Sequence, residues 1–153
     1  MTVIERNIKG IMLLSGGLTA TVGYAAVAPA AALESTFGES VSGPLAELLA
    51  RNWGVLVALI GVLLIHGAFN PANRRVALVA AGASKLWFIA LVLSNGTRYL
   101  GHGAGTAVVV DTVMVMLFAA YLGATAGASS SSLPASFRFR NGTASGSELR
   151  PTK

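Results

Sequence analysis

The chain reads as four long apolar blocks separated by short clusters of charged, proline and glycine residues. A helix needs about 20 apolar residues to cross a hydrocarbon core of roughly 30 Å, and each block is long enough. The first runs from Gly10 to Leu33, between Lys9 and Glu34, and the second from Asn52 to Asn73, between Arg51 and Arg74. Both are free of formal charge. The third, Val76 to Thr97, contains Lys85, and the fourth, from near Ala104 to near Gly127, contains Asp111. One central charge costs an inserting helix about 2.5–3.5 kcal/mol, which a run such as Leu86, Trp87, Phe88, Ile89 offsets. The spans are therefore expected at about 10–32, 52–70, 76–97 and 104–126.

The connections carry the residues that end helices. Pro29 is expected to close the first span and Phe69-Asn70-Pro71 the second, because proline lacks the N–H that the helical ladder needs and disfavours helix in the residue before it. Asn95-Gly96 and Gly101-His102-Gly103-Ala104-Gly105 suit a tight hairpin between spans three and four. The longest connection, Glu34 to Arg51, holds Gly38, Gly43 and Pro44 and then Leu45, Leu48 and Leu49 at helical spacing, which predicts an interfacial turn leading into span two. From Ser129 to Lys153 a serine run and a polar, arginine-containing end cannot bury a core. The expected fold is all-α: a polytopic membrane protein whose residues 1–128 form a four-transmembrane-helix bundle and whose residues 129–153 form a flexible cytoplasmic tail.

Composition agrees, with 54% hydrophobic residues against 11% charged in 153 positions, which excludes an ordinary soluble domain. The absence of cysteine excludes disulfides, thiolate metal sites and thiol redox chemistry. The net charge of +5 sits in basic residues beside the apolar blocks, so the partner it implies is the lipid bilayer and not nucleic acid. Orientation follows from the same residues. Arg6, Lys9, Arg74, Arg75 and the tail's Arg138, Arg140, Arg150 and Lys153 fall on one side, against Arg51 and Arg98 on the other. Lysine and arginine favour the cytoplasmic side, so a multi-pass protein of a bacterial-type inner membrane is expected, with both termini cytoplasmic. The first block is longer than a signal-peptide core and proline follows its first candidate cleavage site, which predicts an uncleaved anchor. The sequon Asn141-Gly142-Thr143 would face the cytoplasm.

Small residues recur on one face of three spans: Gly16, Ala20 and Gly23; Gly54, Ala58 and Gly61; Ala119, Gly123 and Gly127. Such faces let helix backbones approach closely. Trp53, Tyr99 and Tyr121 stand near span ends, as an aromatic belt requires, and Trp87 lies deeper.

The candidate chemistry lies in Lys85 and Asp111. Each is 13 residues from Arg98, so an antiparallel hairpin of spans three and four brings both to one depth, about 15 Å from the inner end. A facing ion pair is the economical arrangement. It serves either as a helix-registering clasp, or as a proton or cation relay or anchor for a polar ligand group; helices rotated apart would leave the two unpaired. Arg51, Asn52, Arg98 and His102 are expected to gather beside Glu47 at the outer surface, as a polar lid or the mouth of a ligand site. His66 and His102 fall at opposite ends of the bundle, so no metal centre is expected, and no catalytic or cofactor motif is present. Ser15, Thr19, Thr21 and Ser84 are expected to bond back to their own helices.

With its glycine-containing first span, Arg51-Asn52-Trp53-Gly54 opening the second, a short turn from Pro71 to Arg75 and four spans in about 125 residues, the chain resembles the small DoxX-like membrane proteins over residues 8–125. The resemblance implies a four-helix bundle and, for some relatives, a link to quinone chemistry or to assembly of membrane complexes; it carries over no catalytic residue. Two functions are expected on these grounds. One is a non-enzymatic accessory or assembly subunit that engages other membrane protein subunits. The other is a small transporter or a lipid- or quinone-binding bundle built on Lys85 and Asp111.

Overall fold

The computed structural model describes residues 3–40 and 42–130, and among these the regular structure is entirely helical. Five α-helices follow one another: α1 (Val3–Ala20), α2 (Pro29–Phe37), α3 (Pro44–Phe69), α4 (Pro71–Ser94) and α5 (Gly103–Ser130), with a 3-10 segment, Thr21–Ala26, continuing α1. Three helices are long and apolar enough to cross a membrane: α3, α4, and α5 over Gly103–Ala126. The tail expected from Ser129 onward lies outside the described residues beyond the end of α5.

The first apolar block is not one helix. α1 ends at Ala20, the chain tightens into the 3-10 segment, and Val27 and Ala28 both donate to the Tyr24 carbonyl at 3.0 Å before α2 begins. Pro29 does not close a helix here but opens one. Ala28 before it is out of the helical region (φ −126°, ψ 69°), which a following proline disfavours, and proline at the first helical position gives up only an N–H that would have had no helical partner. The same device starts α3 at Pro44 and α4 at Pro71, where Asn70 also caps the helix by accepting from the Ala72 N–H at 3.2 Å. α3 therefore begins eight residues before Asn52, and the long connection consists largely of α2 and the first turns of α3. Gly38 ends α2 in the left-handed conformation (φ 74°), donating to the Glu34 carbonyl at 2.8 Å.

α3 is the centre of the bundle, lying against α1, the 3-10 segment and α4; α5 packs on α4 and closes back onto α1. Two of the small-residue faces meet each other. A Cβ on Gly61 would stand 2.6 Å from both the Ala20 nitrogen and the Gly16 oxygen, and one on Gly54 would stand 2.7 Å from the Ala25 Cβ. The backbones of α1 and α3 can approach this closely only because glycine is there. Around Gly123 there is open space, so the third small face has no neighbour within the described chain. Trp87 points outward.

The core changes character along the bundle axis. Toward the end that carries the N-terminus, Met12, Leu64, Leu78 and Phe118 are fully buried. Toward the end that carries the α4–α5 turn, the buried side chains are Ala25, Ala32, Ala50, Ala104 and Val92.

Candidate functional site

Lys85 lies mid-way along α4 and Asp111 about two turns into α5. The helices run antiparallel from the turn at residues 95–102, so both charges arrive at one depth, and their faces are turned toward each other. The Lys85 ammonium donates to Asp111 Oδ1 in a direct ion pair. Lys85 is 7% exposed and the Asp111 side chain 17%, so the pair is held inside the bundle.

A third group completes the arrangement. Lys85 also donates to Thr19 Oγ1 of α1, at 3.1 Å. Thr19 is itself buried, and one turn earlier Ser15 is 1% exposed with no hydrogen-bond partner for its hydroxyl. These two hydroxyls depart from the expectation that span hydroxyls bond back to their own helix. Thr21 does behave so, donating to the Leu18 carbonyl at 2.6 Å. Thr19 turns its oxygen outward because the ammonium, with three donors to place, offers a stronger, charge-assisted bond than the local carbonyl. The sequence signal for it was the spacing of Ser15, Gly16 and Thr19 on one face of α1.

The polar layer sits on an apolar floor. Met12, Leu78 and Phe118 each lie seven residues from Thr19, Lys85 and Asp111 respectively. That is two helical turns, or about 10 Å along each axis toward the N-terminal end. Above this floor the ammonium is held by two protein oxygens, Asp111 Oδ1 and Thr19 Oγ1.

The expected outer cluster is distributed over the fittings of α2. Arg51 donates to the Ala26 and Val27 carbonyls at 2.6 and 3.2 Å, tying α3 to the end of the 3-10 segment. Arg98 pairs with Glu39, not Glu47, through Nε at 2.8 Å and Nη2 at 2.6 Å. The hydrogen bond to Glu39, and then the carboxylate's charge, hold the Arg98 guanidinium above its ordinary value. The His102 ring packs over Gly38, where a side chain would collide with it. Asn52 is exposed and makes no such contact. Sequence reading missed Phe37, whose ring packs on Trp53 (6.1 Å between centroids) and edge-on against Tyr99 (5.5 Å). Arg51, Arg98 and His102 thus serve as separate anchors around α2, and the four residues do not converge on one ligand position.

His66 bonds to Asn73 at 3.2 Å, far along α3 from His102. Among the described residues no group of three or more His, Cys, Asp or Glu could hold a metal ion. No protein-family model, curated protein or solved structure matches the chain.

Proposed function

We propose that this chain is a four-span integral membrane protein that acts as a non-enzymatic accessory or assembly subunit of a larger membrane complex. α1 and its 3-10 continuation supply the fourth crossing. The uncharged stretch from Gly10 to Ala26 rises about 28 Å at the pitches of the two helix types, close to the hydrocarbon thickness. The basic residues Arg6, Lys9, Arg74 and Arg75 lie at one end, which favours cytoplasmic termini and a bacterial inner-membrane location. The DoxX-like resemblance belongs to the same proposal and rests on this architecture.

The observation that carries the accessory role is the closed state of the intramembrane charges: Lys85 donates to both Asp111 and Thr19 inside the bundle. A clasp of this kind fixes which faces of α1, α4 and α5 meet, and so fixes the outward faces available to other subunits. A second reading, a small transporter or a lipid- or quinone-binding bundle, is favoured by the unpartnered Ser15 hydroxyl and the partial exposure of Asp111.

Affinity purification in mild detergent separates the two when run on the native chain and on Lys85→Met/Asp111→Leu together. An accessory subunit brings down the same membrane protein in stoichiometric amount with both. Recovery of the chain alone, together with a vesicle flux or quinone-binding signal that the double variant loses, would overturn the proposal.

A further inference from the structure

The outward face of α3 carries an ordered seam that no other described residue covers. From Leu45 eight exposed positions recur at alternating intervals of three and four residues to the end of the helix, with Glu47, Leu49, Arg51 and Leu56 exposed beside them. One row of this heptad pattern is Leu45, Asn52, Leu59 and His66; the other is Leu48, Val55, Val62 and Phe69. The six apolar members are 46–68% exposed, while Gly54, Gly61, Leu64 and Gly67 on the opposite side of the helix are buried among α1, its 3-10 continuation and α4. A repeat of 3.5 residues kept over four heptads is the pattern that lets two helices wind about each other with a continuous contact line.

Lipid alone accounts poorly for this face, because the seam is not uniformly apolar. Asn52 and His66 are 14 residues apart, about 21 Å, so a hydrocarbon core of roughly 30 Å centred near Leu59 contains both. That centre matches the depth of the Lys85–Asp111 pair, since Gly67 of α3 meets Ala77 of α4 and the two helices run antiparallel from there. His66 has Asn73 as a partner, whereas the Asn52 amide, with two donors and an acceptor, has none among the described residues. α3 is also about 39 Å long, so its first turns, with Leu45 and Leu48 exposed, extend beyond the hydrocarbon.

We propose that a second copy of this chain covers the seam, in a two-fold dimer whose axis is normal to the membrane and whose α3 helices run parallel. Identical chains inserted with one topology place each seam position opposite itself. An asparagine there is self-complementary, because its amide donates to and accepts from its own copy, and a single asparagine in such a row fixes register and two-strandedness. Leu59 and Val62 then pack at the centre. Phe69, whose ring already carries Lys9 at 4.4 Å, bounds the contact at the cytoplasmic end. The proposal rests on the chain spanning a membrane and is independent of the accessory role.

The lack of cysteine makes the test direct. Single cysteines at Val55, Leu59 and Val62, oxidised in native membranes at low expression, should each give a disulfide-linked dimer. Cysteines at Leu91 of α4 and Val113 of α5, 49% and 51% exposed, should not. In vesicles, Asn52→Ala should weaken self-association measured by energy transfer roughly three- to twentyfold, the range of one interhelical polar contact. Equal cross-linking at Leu91 and Val113, cross-linking of α3 to a chain of different mass, or energy transfer at the random-collision level would each overturn the proposal.

Discussion

Replacing Lys85 and Asp111, singly and together, tests the centre of the bundle. Asp111→Leu strands an ammonium whose side chain is 8% exposed and whose remaining oxygen is Thr19 Oγ1. Lys85→Met strands a carboxylate that is 17% exposed. Breaking a buried ion pair from one side costs about 3–5 kcal/mol. Asp111→Leu should fall near the upper end, because Lys85 is the more deeply enclosed of the two, and Lys85→Met near the lower. In Lys85→Met/Asp111→Leu both charges go. What remains is the Thr19 hydroxyl, whose lost partner costs about 1 kcal/mol unless it turns back to a carbonyl of its own helix. The double variant should therefore be more stable than either single by about 2–4 kcal/mol. Reversible unfolding in mixed micelles, followed by helical circular dichroism, reads this order. Three variants of equal stability, or singles indistinguishable from the native chain, would refute the pairing as an energetic feature of the fold.

Four further outcomes are expected. Gly61→Leu should destabilise by about 1–3 kcal/mol or more in the same assay, because the new side chain meets backbone on both sides, at Ala20 and Gly16. Gly82→Ala, with open space around it, should be neutral or gain up to about 1 kcal/mol. Arg51→Met should leave the Ala26 and Val27 carbonyls to water and loosen the junction to α2, so amide exchange over residues 28–33 should accelerate while exchange in α4 does not change. A reporter fused after Lys153 should be active only in the cytoplasm, and activity confined to the outer side would reverse the proposed orientation.

How far the sequence spoke depended on whether a feature was local. The common depth of Lys85 and Asp111 was legible because a hairpin fixes depth by counting from its turn, and the pairing followed from the cost of leaving either alone. Thr19 was not legible, since which third helix stands beside the pair depends on how α1 packs around α3, and hydroxyls in spans ordinarily satisfy themselves. Pro29 misled for a different reason: proline ends one helix and begins another by the same chemistry, and only its neighbours decide which. Pro44 and Pro71 show the preference of this chain, since each also stands at the first position of a helix. The residues expected as an outer cluster do lie at one end of the bundle, but they were joined too readily. Arg51, Arg98 and His102 share a level, yet each is occupied by a different part of the backbone around α2.

The position of the polar layer bears on how the two functional readings divide. Lys85, Asp111 and Thr19 lie where the core changes from Met12, Leu64, Leu78 and Phe118 to alanine and valine. Opening a route from the N-terminal end would require displacing those four large side chains from a fully buried layer, at about 1.5–3 kcal/mol for each one exposed. A route from the other end needs no such displacement. There the small residues Ala25, Ala50 and Ala104 are roofed by α2, and α2 is held by Arg51, the exposed Arg98–Glu39 pair and the Phe37 contacts. A dry clasp keeps this roof shut in every functional state. A ligand-binding bundle would have to lift it, so motion of α2, more than any change at Lys85 itself, is the property in which the two readings physically differ.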